Sequence, residues 1–186
     1  MAVTSVLDQG ISLTSLIWLF LAAFMLHDFE EIIRIEPWFR KHADDVIKRI
    51  PSPLHKPFTA LSQVTSSRFA VAVCLEFLLL IPVTYLAAER GVYLPFVGVN
   101  VVLFLHVFMH LGQALYVRKW VPGVATAVLI TLPYSVYLFH RMLDANLIDG
   151  MDLVRGAPFG LLLVPVVLAG HKLGKMLIPD PAADNS

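Results

Sequence analysis

The sequence predicts an all-α fold, a polytopic transmembrane helix bundle of about five spans, and three observations carry that expectation. Of the 186 residues, 58% are hydrophobic and 15% charged, and the mean hydropathy is +0.74; a soluble domain has roughly 45–50% apolar residues. Apolar runs approach the roughly 20 residues a helix needs to cross the hydrocarbon layer at about 13–33, 69–88, 94–117, 121–140 and 157–176. Lys and Arg gather at alternate ends of those runs.

That sorting sets the orientation. Arg34, Arg40, Lys41, Lys48, Arg49, Lys56 and Arg68 follow the first run, Arg118 and Lys119 the third, and Lys172 and Lys175 close the fifth; the other side holds Arg90, Arg141 and Arg155. The positive-inside rule puts the larger group in the cytoplasm, so the N-terminus lies outside and the C-terminus inside. Residues 1–186 read as a single integral membrane domain. The N-terminus carries Asp8 and no cation before the first run, so it lacks the positive region of a signal peptide and reads as retained. The formal net charge is zero, which gives no reason to expect nucleic acid as a partner. Cys74, inside an apolar run, has no second cysteine to pair with and reads as a packing residue.

After the first run, Pro37 opens a stretch in which Phe39, Ala43, Val46 and Ile50 share a helical face opposite Arg40, Lys41, Asp44, Asp45 and Lys48. It reads as an amphipathic helix over 37–50 on the inner surface, ended by Pro51, Pro53 and Pro57. Pro95 and Pro122 stand where the third and fourth runs begin, while Pro82, Pro133 and Pro165 fall within spans and should kink them. Trp38, Tyr93, Tyr116 and Trp120 lie near the boundaries as interfacial anchors.

The runs also carry groups that are costly in hydrocarbon. His27, Glu30 and Glu31 form the string His-Asp-Phe-Glu-Glu, Glu76 stands in the second run, and His106 and His110 stand in the third. Each would cost roughly 2.5–3.5 kcal/mol at a bilayer centre on insertion scales, so they must satisfy one another or bind a metal. Helical spacing puts His27 on one face with Glu30, Glu31 and Arg34, and His106 with His110 and Gln113. At 1.5 Å per residue, His27, Glu76 and His110 all lie ~10–12 Å from their charged boundaries. Glu30 at ~6 Å and His106 at ~18 Å stretch the expected site along the membrane normal, which suits two metals better than one. Mixed His and Glu donors suit zinc, iron or manganese. A hydrogen-bonded packing network around Arg34 is the bland alternative. His42, His55, His140 and His171 fall in loops or at boundaries and read as solvated. Asn100, about 120° round the helix from His106, reads first as a helix-packing residue and second as support for the site.

With these residues the chain resembles the HXXEE-domain family of small multi-span membrane proteins, matched at His27, Glu30 and Glu31. The resemblance continues through Asn100, His106, His110, Leu111-Gly112-Gln113 and Pro122-Gly123-Val124-Ala125-Thr126-Ala127. It implies a membrane protein with suspected metal-dependent chemistry. The chain is also similar, in part, to the intramembrane CAAX-type prenyl proteases, which combine a Glu-Glu pair, an Arg and histidines from neighbouring helices. It departs from them in the Glu31–Arg34 spacing, in having no Phe four before His106 or His110, and in His-x-x-x-His where they have His-x-x-x-Asn.

The functional expectation is therefore a membrane metalloenzyme, a hydrolase first, binding one or two divalent ions, zinc or iron before manganese. Its ligands are drawn from His27, Glu30, Glu31, Glu76, His106 and His110, with Glu30 or Glu31 as the general base and Arg34, Asn100 and Gln113 as supporting groups. The depth of the site, nearer the cytoplasmic leaflet, points to a lipid-like or amphipathic substrate. A diiron-type oxidase or oxygenase and a proton- or cation-binding transporter are the alternatives.

Overall fold

The computed structural model describes residues 10–179, and among them every regular element is helical. Helix α1 runs from Leu13 to Ile47, and a 3-10 turn at Ser52–Leu54 leads into α2, His55–Ser62. Helices α3 (Ser66–Arg90) and α4 (Tyr93–Val117) follow. A broken segment comes next, one turn at Val124–Thr126 and a π-turn at Ala127–Thr131, which feeds α5, Leu132–Asp144. Helices α6 (Gly150–Leu161) and α7 (Leu163–Leu177) close the chain. Asp8 lies outside the described residues.

Among the described residues, three helical stretches are long and apolar enough to cross a membrane: α3, α4, and α6 with α7 as one run of 28 residues. The exterior agrees with that environment. Ile33, Leu78, Leu115, Leu129 and Leu168 are all at least 60% exposed, an apolar surface a water-soluble monomer does not tolerate. Cys74 belongs to this outward face: it is exposed, so the packing role expected of it fails.

The separate inner-surface helix expected at 37–50 is a continuation of α1. Pro37 sits inside the helix without ending it, since proline removes one hydrogen bond and bends a helix that tertiary contacts hold on both sides. The resulting 35-residue helix is about 52 Å long, well beyond a hydrocarbon layer of about 30 Å. The apolar run 157–176 likewise begins earlier, at Gly150, where Asp149 and Asp152 form a reciprocal capping box. Pro133 is the second residue of α5, which begins directly after the π-turn Ala127–Thr131, where the hydrogen-bonding pattern already departs from the α-helical one. Pro165 falls in the first turn of α7, past a break at Leu162, where its missing N–H costs nothing.

α1 packs on α3, α3 on α7, and α4 on α6, while α5 and the π-turn lie against α1 and α4. The main core is formed by Phe20, Phe24, Leu80, Phe96, Leu138 and Met142 with their neighbours. Two Gly-x-x-x-Gly pairs let the last two helices dock closely. A β-carbon at Gly156 or Gly160 would overlap the backbone of α4 around Gly98, and one at Gly170 or Gly174 would press on Ala72 or Arg68 of α3.

Candidate metal centre

α1 and α4 bring the site together. His27 and Glu31 are one turn apart on α1, His106 and His110 one turn apart on α4, and their donor atoms all lie within 4.8 Å of one another. Glu31 Oε1 is 3.0 Å from His110 Nε2, 3.9 Å from His106 Nε2 and 4.0 Å from His27 Nε2. The two α4 histidines meet Nε2 to Nε2 at 2.8 Å. His27 and His110 are almost fully buried, and His27 Nε2 has no hydrogen-bond partner among the described residues.

The donor set fits a metal ion. Ligands placed tetrahedrally at a zinc–nitrogen distance of 2.0–2.1 Å stand ~3.3 Å apart, and the contacts of 2.8–4.0 Å bracket that edge. One buried carboxylate and three imidazoles suit a borderline divalent ion. The cluster is compact where the sequence predicted a site elongated along the bundle. Depth counted on Cα positions overstates the spread, because side chains one turn apart converge when they reach sideways towards a facing helix.

The other predicted residues fall around this group. Glu30 turns away from it, its Oε2 accepting from Thr126 N at 2.8 Å and Thr126 Oγ1 at 2.7 Å. Arg34 Nε lies 3.8 Å from the other Glu30 oxygen. Glu76, half-buried on α3, stands outside the group of four. Asn100 donates to Phe96 O of its own helix at 2.9 Å, and Gln113 lines the groove beside the cluster. Of the histidines expected in solvent, His55 lies 3.0 Å from Ile50 O and His171 packs on the Phe69 ring.

The sequence assigned no role to Thr126 and Gly123, which touch the cluster, or to the buried Asp28 next to His27 in the chain. Thr126 Oγ1 lies 3.1 Å from His27 Nδ1. Gly123, in the left-handed region at φ +83°, passes so close that a β-carbon would stand 2.6 Å from Glu31 Oε1 and from His110 Cε1. The run Pro122–Ala127 was the available signal, but nothing in it tells which residues touch the histidines. Asp28 is 7% exposed, and its Oδ2 has no partner; its place inside the His-Asp-Phe-Glu-Glu string was visible.

On its open side the cluster borders a groove of about 670 Å³. Glu31, His106, His110 and Gln113 stand at one end, and Ile35, Phe39, Val46, Phe58 and Leu61 line the rest. Its origin is geometric. From Glu31 to Ile47 α1 rises about 24 Å, whereas from His110 to Val117 α4 rises only about 10 Å. Yet Arg49 Nη1 donates to Val117 O at 3.1 Å, and Lys119 pairs with Asp45 at 3.2 Å. The two helices therefore do not run parallel below the cluster, and the space between them is closed by α2 and by Trp38, whose Nε1 donates to Trp120 O at 2.6 Å. Lys119 holds the Asp45 carboxyl below its ordinary range.

These features define a helical protein with membrane-crossing stretches and a His/Glu cluster that could hold a metal ion. The profile of a family described as a protein of unknown function with HXXEE motif matches residues 18–138, and the chain belongs to that family. It is also similar to the uncharacterized protein YrkK of Bacillus subtilis (strain 168), at 26% identity over 170 residues, 86% of this chain and 96% of that one. No solved structure matches it.

Proposed function

We propose that this protein is an integral membrane metalloenzyme, a hydrolase before other chemistries, acting on a lipid-like or amphipathic substrate. The observation that carries the reading is the convergence of three imidazole nitrogens and one carboxylate oxygen at the end of an apolar groove. His27, Glu31, His106 and His110 would hold the ion, zinc or iron before manganese. A bound divalent ion lowers the pKa of water towards ~7 and polarises a carbonyl. The base expected at Glu30 or Glu31 moves to Glu76 in this reading, because Glu31 sits among the three histidines and Glu30 is bonded to Thr126; Glu76, on α3, would receive the proton. The groove takes the apolar part of the substrate and keeps bulk water from the reacting end.

The charge sorting supports five spans with the N-terminus outside and the site nearer the cytoplasmic leaflet. Cysteine labelling from outside intact cells, with Cys74 replaced, should reach positions in the Ala145–Gly150 turn and spare the Arg40–Lys56 segment. The reverse pattern rejects the orientation.

Plasma mass spectrometry of the purified protein tests the metal reading. About one equivalent or more of a transition metal is expected, lost in His106→Ala/His110→Ala. Equal content in both proteins sinks it. A diiron-type oxidase or oxygenase is the second reading, favoured by two further carboxylates, the buried Asp28 on α1 and the half-buried Glu76 on α3. Two equivalents of iron would select it.

A further inference from the structure

We infer that Thr126 and Glu30 form a positioning pair that decides which nitrogen of His27 faces the donor cluster; the inference rests on the metal reading above. Thr126 Oγ1 has one hydrogen to give. Its shortest contact is Glu30 Oε2 at 2.7 Å, an oxygen that also accepts from Thr126 N and outcompetes on distance the carbonyls of Gly123 and His27 at 3.3 Å and 3.5 Å. The hydroxyl therefore donates to Glu30 and presents only lone pairs to His27 Nδ1, 3.1 Å away. The ring proton of His27 then belongs on Nδ1. Nε2, the buried atom that faces Glu31, keeps its lone pair and is ready to bind an ion.

The reverse tautomer would take the Thr126 hydrogen from Glu30 and point an N–H into the cluster. Glu30 is held against that by a second bond. It accepts from Thr126 N–H, a first-turn amide whose short helix has Gly123 as N-cap and offers it no acceptor. Residues 30 and 31 point about 100° apart on α1, so the paired glutamates divide the work: Glu31 meets the ion and Glu30 holds Thr126. The break in the fourth apolar run is what brings Thr126 to that place, and both Thr126 and Glu30 act through His27 without touching the ion.

Co²⁺ titration of the purified full-length protein in detergent micelles tests this, because its visible absorption reports donor number and geometry as well as affinity. Thr126→Val should weaken Co²⁺ binding about 10–100-fold, the range for groups that orient a metal-binding histidine, with the band shape of the wild type. Thr126→Ser, which restores the hydroxyl, should recover most of the loss. Glu31→Gln, which removes a donor, should change the band shape. Wild-type affinity in Thr126→Val, or no recovery in Thr126→Ser, overturns the positioning role while leaving the metal reading intact. A wild-type protein that takes up no Co²⁺ overturns the metal reading itself.

Discussion

In the first half of α4 the residues Phe96, Val97, Gly98, Val99 and Asn100 are all buried; after Leu103 only Val107, His110 and Val117 are. The first half lies on α6 with backbones nearly touching through Gly98, Gly156 and Gly160. The second half faces α1 across imidazoles, a carboxylate and a groove. A glycine stands at the tightest fit beside each half, Gly98 within the first and Gly123 on the chain that follows α4 and passes the second. Gly98 lets two helices approach, whereas Gly123 lets the chain pass against Glu31 and His110. A tightly fixed first half gives the second half a firm base from which to present two histidines, and a site on rigid elements holds its geometry better than one on loops.

The comparison is broken most severely at the carboxylates. If Glu76 is the base, Glu76→Gln should keep the metal and lower hydrolysis of a fluorogenic long-chain ester by about 10²–10⁴-fold. Loss of metal in Glu76→Gln would make it a ligand instead. Gly123→Ala comes next. Its β-carbon meets Glu31 and His110, so metal affinity should fall by at least the ~10-fold seen when groups around a site are displaced, with added strain of ~1–2 kcal/mol at positive φ. Gly98→Ala should do the opposite, costing the ~1–3 kcal/mol of an overpacked contact in thermal unfolding while the folded protein keeps its metal. A Gly98→Ala protein that folds normally but releases metal would show that the halves are not separable. His171→Ala, on α7 and away from the cluster, should leave metal content unchanged and alter stability only by its packing on Phe69.

Several features were legible because they depend on neighbours along the chain. The all-helical class follows from apolar runs of helix-spanning length. The pairing of His27 with Glu31 and of His106 with His110 follows from 3.6 residues per turn. Membership of the HXXEE family followed from motifs strung through the first four runs. The two Gly-x-x-x-Gly pairs were equally visible but carry little weight until a partner helix is known.

What the sequence by itself determined is therefore the helical class, the apolar runs and the two paired sets of donors, since each is set by local spacing and composition. The meeting of those pairs within 4.8 Å, the turning of Glu30 away to Thr126, the passage of α1 through Pro37 and the closing of the cluster by Gly123 were decided by tertiary structure. Each of these depends on groups far apart in the chain, Glu30 and Thr126 being 96 residues apart. Helical periodicity fixes the face on which a side chain lies; only the packing of α1, α4 and the broken segment fixes what it faces.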